Sequence, residues 1–158
     1  MAGECRLVLG GARSGKSAFA ERMARNTKLE RHYIATSRIY DAAHAARIEL
    51  HRQARAADQW TVHEEPLALR EVLIEQAAAE RVVLVDCLTL WLTNLLLDQS
   101  DIEAAFERLE QAMPSLPGTV VFVANEVGLR VAPETRRGNQ SRAWAATLNQ
   151  RVARHAAQ

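Results

Sequence analysis

The sequence predicts an α/β fold, a mostly parallel sheet with helices on both faces. Short apolar, β-branched runs alternate along the chain with longer segments of helical character. One run, Val82–Val85, is apolar at every position, as a strand buried on both faces requires. The segment Gly10-Gly11-Ala12-Arg13-Ser14-Gly15-Lys16-Ser17 fits the pattern G-x-x-x-x-G-K-[ST] and sits between the apolar run Leu7–Leu9 and a helical segment.

Each element follows from its local pattern. Arg6–Leu9 reads as the first strand and Ser17–Asn26 as the first helix. His32–Ala35 is a short strand running into Thr36-Ser37; Ala42–Arg55 is a helix, and Trp60–His63 a short strand. Leu67–Ala79 is helical, Val82–Val85 a central strand, and Leu88–Leu97 and Asp101–Met113 are helices broken near Asp98-Gln99-Ser100. Pro114–Gly118 is a turn, Val120–Ala124 a buried strand, and a helix from about Arg137 closes the chain. No repeat or linker divides it, so 1–158 is expected to be a single domain.

Composition narrows the function. A hydrophobic content of 48% argues against disorder, and a net charge of +1 gives no general attraction to nucleic acid or membrane. Lys occurs only at positions 16 and 28; the Arg excess reads first as codon usage and second as phosphate chemistry. Cys5 and Cys87 fall in or beside strands without metal-ligand spacing and imply a reducing compartment. With no leader pattern and no 18-residue apolar run, a cytoplasmic location is expected.

The glycine-rich segment predicts a nucleoside triphosphate site. Its glycines let successive N–H groups point into one concavity, and the following helix adds its positive end. Lys16 would reach the β- and γ-phosphates, and the Ser17 hydroxyl would ligate Mg²⁺. Asp86 ends the strand Val82–Val85, where an acidic residue in phosphate-loop proteins serves the cation or orients the attacking group; alone it would be only a loop carboxylate. Arg47, His51 and Arg55 recur at i, i+4, i+8 on one helical stripe with Arg52 beside them, and Ile48 and Leu50 are expected toward the core. Such a stripe is either a solvated basic face or a nucleophilic imidazole framed by guanidinium groups able to stabilise a phosphate in transition.

Several of these segments occur together in one known family. GGARSGKS, Tyr33-Ile34-Ala35-Thr36-Ser37, Ala46-Arg47-Ile48-x-x-His51-x-x-x-Arg55, and Trp60 followed by Glu64 stand in that order. Asp86-Cys87-Leu88-Thr89-Leu90-Trp91-Leu92-Thr93-Asn94-Leu95-Leu96, Asn125-Glu126-Val127-Gly128, Pro133-Glu134 and Leu148-Asn149-Gln150 complete the set. From Arg6 to about Ala153 the chain resembles the bifunctional adenosylcobinamide kinase/adenosylcobinamide-phosphate guanylyltransferases of cobalamin biosynthesis. The phosphate loop is widespread; DCLTLWLTNLL, RI-x-x-H and NEVG are far more specific.

The resemblance implies a P-loop NTPase (RecA-like) fold and a two-step enzyme. A nucleoside triphosphate, ATP or GTP, phosphorylates the aminopropanol hydroxyl of adenosylcobinamide. GTP then guanylylates a histidine, here His51, and GMP passes to the cobinamide phosphate to give adenosylcobinamide-GDP. The family's nucleotide contacts carry over to Gly10, Gly11, Ala12, Arg13, Ser14, Gly15, Lys16 and Ser17, to Ala35, Thr36 and Ser37, and to Arg52, Gln53, Ala54 and Arg55. Glu64 matches an acidic contact at guanine or ribose and Asp86 one at Mg²⁺. Family members are homo-oligomers, and the same is expected here.

Other segments have plain structural readings. Asn125–Gly128 can be a turn closed by Gly128, Trp91 and Leu92–Leu97 core or subunit interface, and Thr89 and Thr93 helix-lining groups. His44, His63 and His155 read as surface histidines without convergent partners. The chain also departs from the family. Arg55-Ala56-Ala57-Asp58-Gln59-Trp60 replaces Arg-Pro-x-x-Trp, Thr135 replaces the Asn of Pro-Glu-Asn, and Ala143 and Ala146 replace Asp and Gly. The family continues past the last helix into an apolar strand, whereas this sequence stops at Gln158, so the expected sheet lacks that C-terminal strand and has an open edge. Two alternatives stay open: a monofunctional small-molecule kinase in which His51 and its arginines only bind phosphate, and a catalytically decayed nucleotide-binding relative, which these departures support, although intact Lys16, Ser17, His51 and Asp86 count against it.

Overall fold

The computed structural model describes residues 3–11, 14–38, 42–125 and 136–156. Five strands, β1 (Glu4–Gly10), β2 (Glu30–Ala35), β3 (Thr61–Glu64), β4 (Arg81–Asp86) and β5 (Thr119–Asn125), form one parallel sheet in the order β1-β5-β4-β2-β3. Around it lie α1 (Lys16–Asn26), α2 (Ala42–Ala57), α3 (Leu69–Gln76), α4 (Leu88–Leu97), α5 (Ile102–Ala112) and α6 (Arg136–His155).

Strand position explains strand composition. β4 and β5 are central, so Val82–Val85 and Val120–Ala124 are buried on both faces. On one face Val82, Leu84, Val121 and Val123 pack with Tyr33, Trp60 and the small side chains Ala20 and Ala24 of α1. On the other, Ile34, Val83, Val85 and Phe122 meet Leu69 and Leu73 of α3, Trp91 and Leu92 of α4, Phe106 of α5 and Leu148 of α6. The predicted α/β layering is therefore the observed one, with Trp91, Leu92 and Leu95 in the core.

Differences from the sequence reading are local. The helix expected over 67–79 is only Leu69–Gln76, because the Glu65 carboxylate takes the Leu67 and Ala68 N–H groups (both 3.1 Å) and holds the entry outside the helix. The turn after α5 contains a 3₁₀ segment, Met113–Ser115, and ends at Gly118 with φ +73°. Leu50 does not face the core: it is 65% exposed, since among the described residues α2 packs chiefly on the short edge strand β3. His63 also has a partner, contrary to its reading as an isolated surface group. Its Nε2 lies 3.0 Å from Nδ1 of buried His32, whose Nε2 is 2.6 Å from a Glu30 carboxylate oxygen. The pairing arises because β2 and β3 are neighbours, with Ile34 opposite His63. His155 likewise meets Glu110, at 3.1 Å.

Candidate functional site

Parallel strands that end together create a crest of backbone ends on one side of the sheet, where α/β proteins bind ligands. Here Ala35 lies opposite both Glu64 and Asp86, and Gly10 opposite Asn125.

At the end of β1 the chain turns through Gly10-Gly11; the Ser14 N–H donates to the Gly11 carbonyl at 3.2 Å. Gly15 caps α1 with φ +80°, a left-handed conformation that favours glycine. The Lys16 ammonium donates to the Gly11 carbonyl at 3.3 Å, folded over the loop whose helix dipole suits an anion. The Ser17 hydroxyl donates to Asp86 Oδ2 at 3.3 Å. Ala12 and Arg13 lie outside the described residues, as do Glu126–Gly128 and Pro133–Glu134.

Asp86 also faces a cavity of about 290 Å³ under α2. From α2 come Arg47, Ile48, His51 and Arg55, the side of the helix that the i, i+4, i+8 spacing selects. From the strand ends come Tyr33, Ala35, Ser37 and Glu64. Two features make it suited to an anion. Arg55 lies 3.8 Å from the Tyr33 ring centroid, and its Nε is buried with no hydrogen-bond partner among the described residues. His51 is exposed at the cavity wall, so its imidazole is accessible to a ligand. Histidine in reach of guanidinium groups can attack a phosphorus centre while those groups hold the charge that develops.

Not every residue of the sequence-derived set reaches the cavity. Thr36 is fully buried: its hydroxyl donates to the Cys87 carbonyl (2.8 Å) and accepts from the Cys87 N–H (3.0 Å). Arg52 pairs with Glu49 at 2.9 Å and with Glu64, so it braces the rim. Gln53 reaches Glu49 at 3.4 Å, and exposed Ala54 does not line the cavity. Three lining residues escaped the sequence reading of the site: Tyr33, Ile48 and Leu90. Period-two alternation in β2 puts Tyr33 on the face of Ala35, a signal that was available.

Electrostatics follow from burial. Desolvation, then the Asp86 charge, hold the Tyr33 phenol well above its ordinary range, so it stays a donor to Asp86 Oδ2 at neutral pH. Burial pushes both the Cys5 and Cys87 thiols up to about 11, which removes them as nucleophiles. Among the described residues no three His, Cys, Asp or Glu side chains converge on a metal position. The Ser17–Asp86 oxygens are instead the sparse hard-donor set that suits Mg²⁺, which keeps waters and takes phosphate oxygens. No helix among the described residues is long and apolar enough to cross a membrane.

Comparison with known proteins gives the chain its relatives. The family model described as cobinamide kinase / cobinamide phosphate guanyltransferase matches residues 6–158. The bifunctional adenosylcobalamin biosynthesis protein CobP of Pseudomonas aeruginosa is 50% identical over 129 residues, covering 80% of this chain and 74% of that protein. The CobU proteins of Escherichia coli and Salmonella typhimurium, described in the same words, are each 38% identical over 162 residues, covering 93% of this chain and 88% of theirs.

Proposed function

This chain belongs to the cobinamide kinase / cobinamide phosphate guanyltransferase family, and we propose how its residues divide the family's two reactions. It is a bifunctional enzyme of adenosylcobalamin biosynthesis, acting on cobinamide with nucleoside triphosphates. One observation carries the assignment: Asp86 both bonds Ser17 of the phosphate loop and lines the cavity that holds His51.

In the kinase step the loop Gly10–Ser17 wraps the triphosphate, and Lys16 exchanges the Gly11 carbonyl for phosphate oxygens. Ser17 and Asp86 would hold Mg²⁺, which neutralises charge on the β- and γ-phosphates when bound. The cobinamide hydroxyl attacks the γ-phosphorus, the γ-phosphorus–oxygen bond to the β-phosphate breaks, the nucleoside diphosphate departs, and the hydroxyl proton passes to solvent water.

In the guanylyl step a neutral His51 nitrogen attacks the α-phosphorus of GTP. A P–N bond forms, the α–β P–O bond breaks, and pyrophosphate leaves. Arg47 and Arg55 stabilise the charge on the α-phosphoryl oxygens. A phosphate oxygen of cobinamide phosphate then attacks that phosphorus, the P–N bond breaks, and His51 is regenerated. Glu64, steadied by Arg52, stands at the rim for guanine or ribose donors. The reading includes a cytoplasmic, self-associating enzyme.

The test is incubation with Mg²⁺ and GTP labelled at the α-phosphate, then denaturation and a count of retained label. Acid-labile, alkali-stable label that His51→Ala abolishes is expected. Absence of label from a protein that still binds GTP would overturn the histidine assignment.

A further inference from the structure

Tyr33 touches both halves of the site. Its hydroxyl donates to Asp86 Oδ2, the same oxygen that accepts from Ser17 at 3.3 Å. Two donors from two elements, β2 and α1, therefore set the carboxylate's orientation. The face of the same ring carries the Arg55 guanidinium at 3.8 Å from the centroid. The ring itself is buried, and Trp60 packs against it edge-on at 5.7 Å with an interplanar angle of 89°. Arg55 Nε is itself buried without a hydrogen-bond partner among the described residues, and the ring face holds the guanidinium at the wall of the cavity that Arg55 lines.

We propose that Tyr33 is a positioning residue serving both reactions: its hydroxyl orients Asp86 for the phosphate-loop cation, and its ring orients Arg55 for the α-phosphate at His51. The second half rests on the histidine assignment above; the first does not. Two substitutions separate the roles. Tyr33→Phe keeps the ring and removes the hydroxyl, whereas Tyr33→Leu removes both.

The experiment titrates Mg²⁺ against each protein with a GTP analogue bearing a methylene bridge between the α- and β-phosphorus, reading binding by calorimetry. Labelling by α-labelled GTP is then measured at saturating Mg²⁺, with thermal unfolding recorded for each variant. Tyr33→Phe is expected to raise the Mg²⁺ concentration for half-maximal binding about tenfold, the usual scale for losing a group that orients a metal ligand. Its labelling should fall only about threefold, while Tyr33→Leu labels about 10²-fold more slowly than wild type, as loss of one charge-stabilising donor does. A purely structural role would lower the melting temperature, the fraction of protein that binds the analogue and the labelling in parallel, with no shift in the Mg²⁺ concentration for half-maximal binding.

Unchanged Mg²⁺ dependence in Tyr33→Phe overturns the Asp86 half, and equal labelling by the two variants overturns the Arg55 half. Wild-type protein that takes no label overturns the histidine assignment and the Arg55 half with it; the binding titration still decides the Asp86 half.

Discussion

Thr36 and Cys87, on loops that follow neighbouring strands, bond to each other twice through one hydroxyl. Thr36 Oγ1 accepts from the Cys87 N–H at 3.0 Å and donates to its carbonyl at 2.8 Å. Buried Asn94 adds a third tie, donating to the Thr36 carbonyl at 2.7 Å and the Pro66 carbonyl at 3.0 Å. Three crest loops are thus tied together at Cys87, the residue that follows Asp86. Thr36→Val keeps the shape and strands the buried Cys87 N–H, while the Cys87 carbonyl keeps the Trp91 N–H at 3.2 Å, so it should cost about 1–3 kcal/mol. Thr36→Ser should recover most of that. Urea unfolding of the two variants checks it, and equal stabilities would show that the hydroxyl does not hold the loops.

Arg47 precedes His51 by one helical turn and lines the same cavity. Its role can be separated from that of the phosphate loop. Arg47→Ala should slow His51 labelling by about 10²-fold, since one preorganised donor to a developing charge is lost. Lys16→Ala should instead lower phosphoryl transfer to cobinamide by a similar or larger factor. Single-turnover rates for the two steps distinguish the variants; equal losses on both steps in Arg47→Ala would mean that Arg47 serves the triphosphate as a whole.

The contrast between these residues and Thr36 marks how far the sequence could be read. Val82–Val85 announced a central strand because both faces of β4 are covered, and periodicity alone put Arg47, His51 and Arg55 on one side of α2. Periodicity cannot say which side of α2 meets the protein, so Leu50 reads as inward, although among the described residues that helix packs chiefly on β3 and leaves Leu50 exposed. Long-range pairing was equally hidden. Nothing local tells Arg52 that Glu64 will stand beside it, or His63 that His32 will. Thr36 belonged to a nucleotide-contact segment by resemblance, and only the register of β2 against β4 turns its hydroxyl to Cys87.

The histidine pair gives a pH dependence with a definite sign. Burial, then the His32 ring, lower the His63 pKa below its ordinary 6.5, with Arg81 adding to the effect and Glu75 opposing it. The folded state therefore binds its proton less readily than the unfolded chain. The stability this contributes is complete above about pH 6.5 and is lost as pH falls through the depressed folded value. His63→Gln should flatten the stability profile between neutral pH and pH 5. Its imidazole resonances in wild type should titrate below 6.5; a midpoint at or above that value would contradict the burial argument.

Gly118 tests whether the connection into β5 tolerates any side chain. It sits at φ +73°, and a Cβ built there would lie 2.0 Å from the Ala78 carbonyl oxygen and 2.5 Å from that of Arg81. Both obstacles are backbone atoms and cannot swing aside as a flexible side chain could. The Gly118 carbonyl also accepts the Glu4 N–H at 2.8 Å, tying the start of β1 to that of β5. Any shift that relieves the clash pulls on the strand pair that carries the phosphate loop. Left-handed backbone strain alone costs about 1–2 kcal/mol for a non-glycine residue, and the steric overlap adds to it. Gly118→Ala should therefore destabilise by at least 3 kcal/mol, about the cost of a large core truncation, and should weaken GTP binding in proportion to the unfolded fraction. Differential scanning calorimetry with and without GTP reads both effects; a melting temperature within a degree of wild type would mean that the turn has room to rearrange.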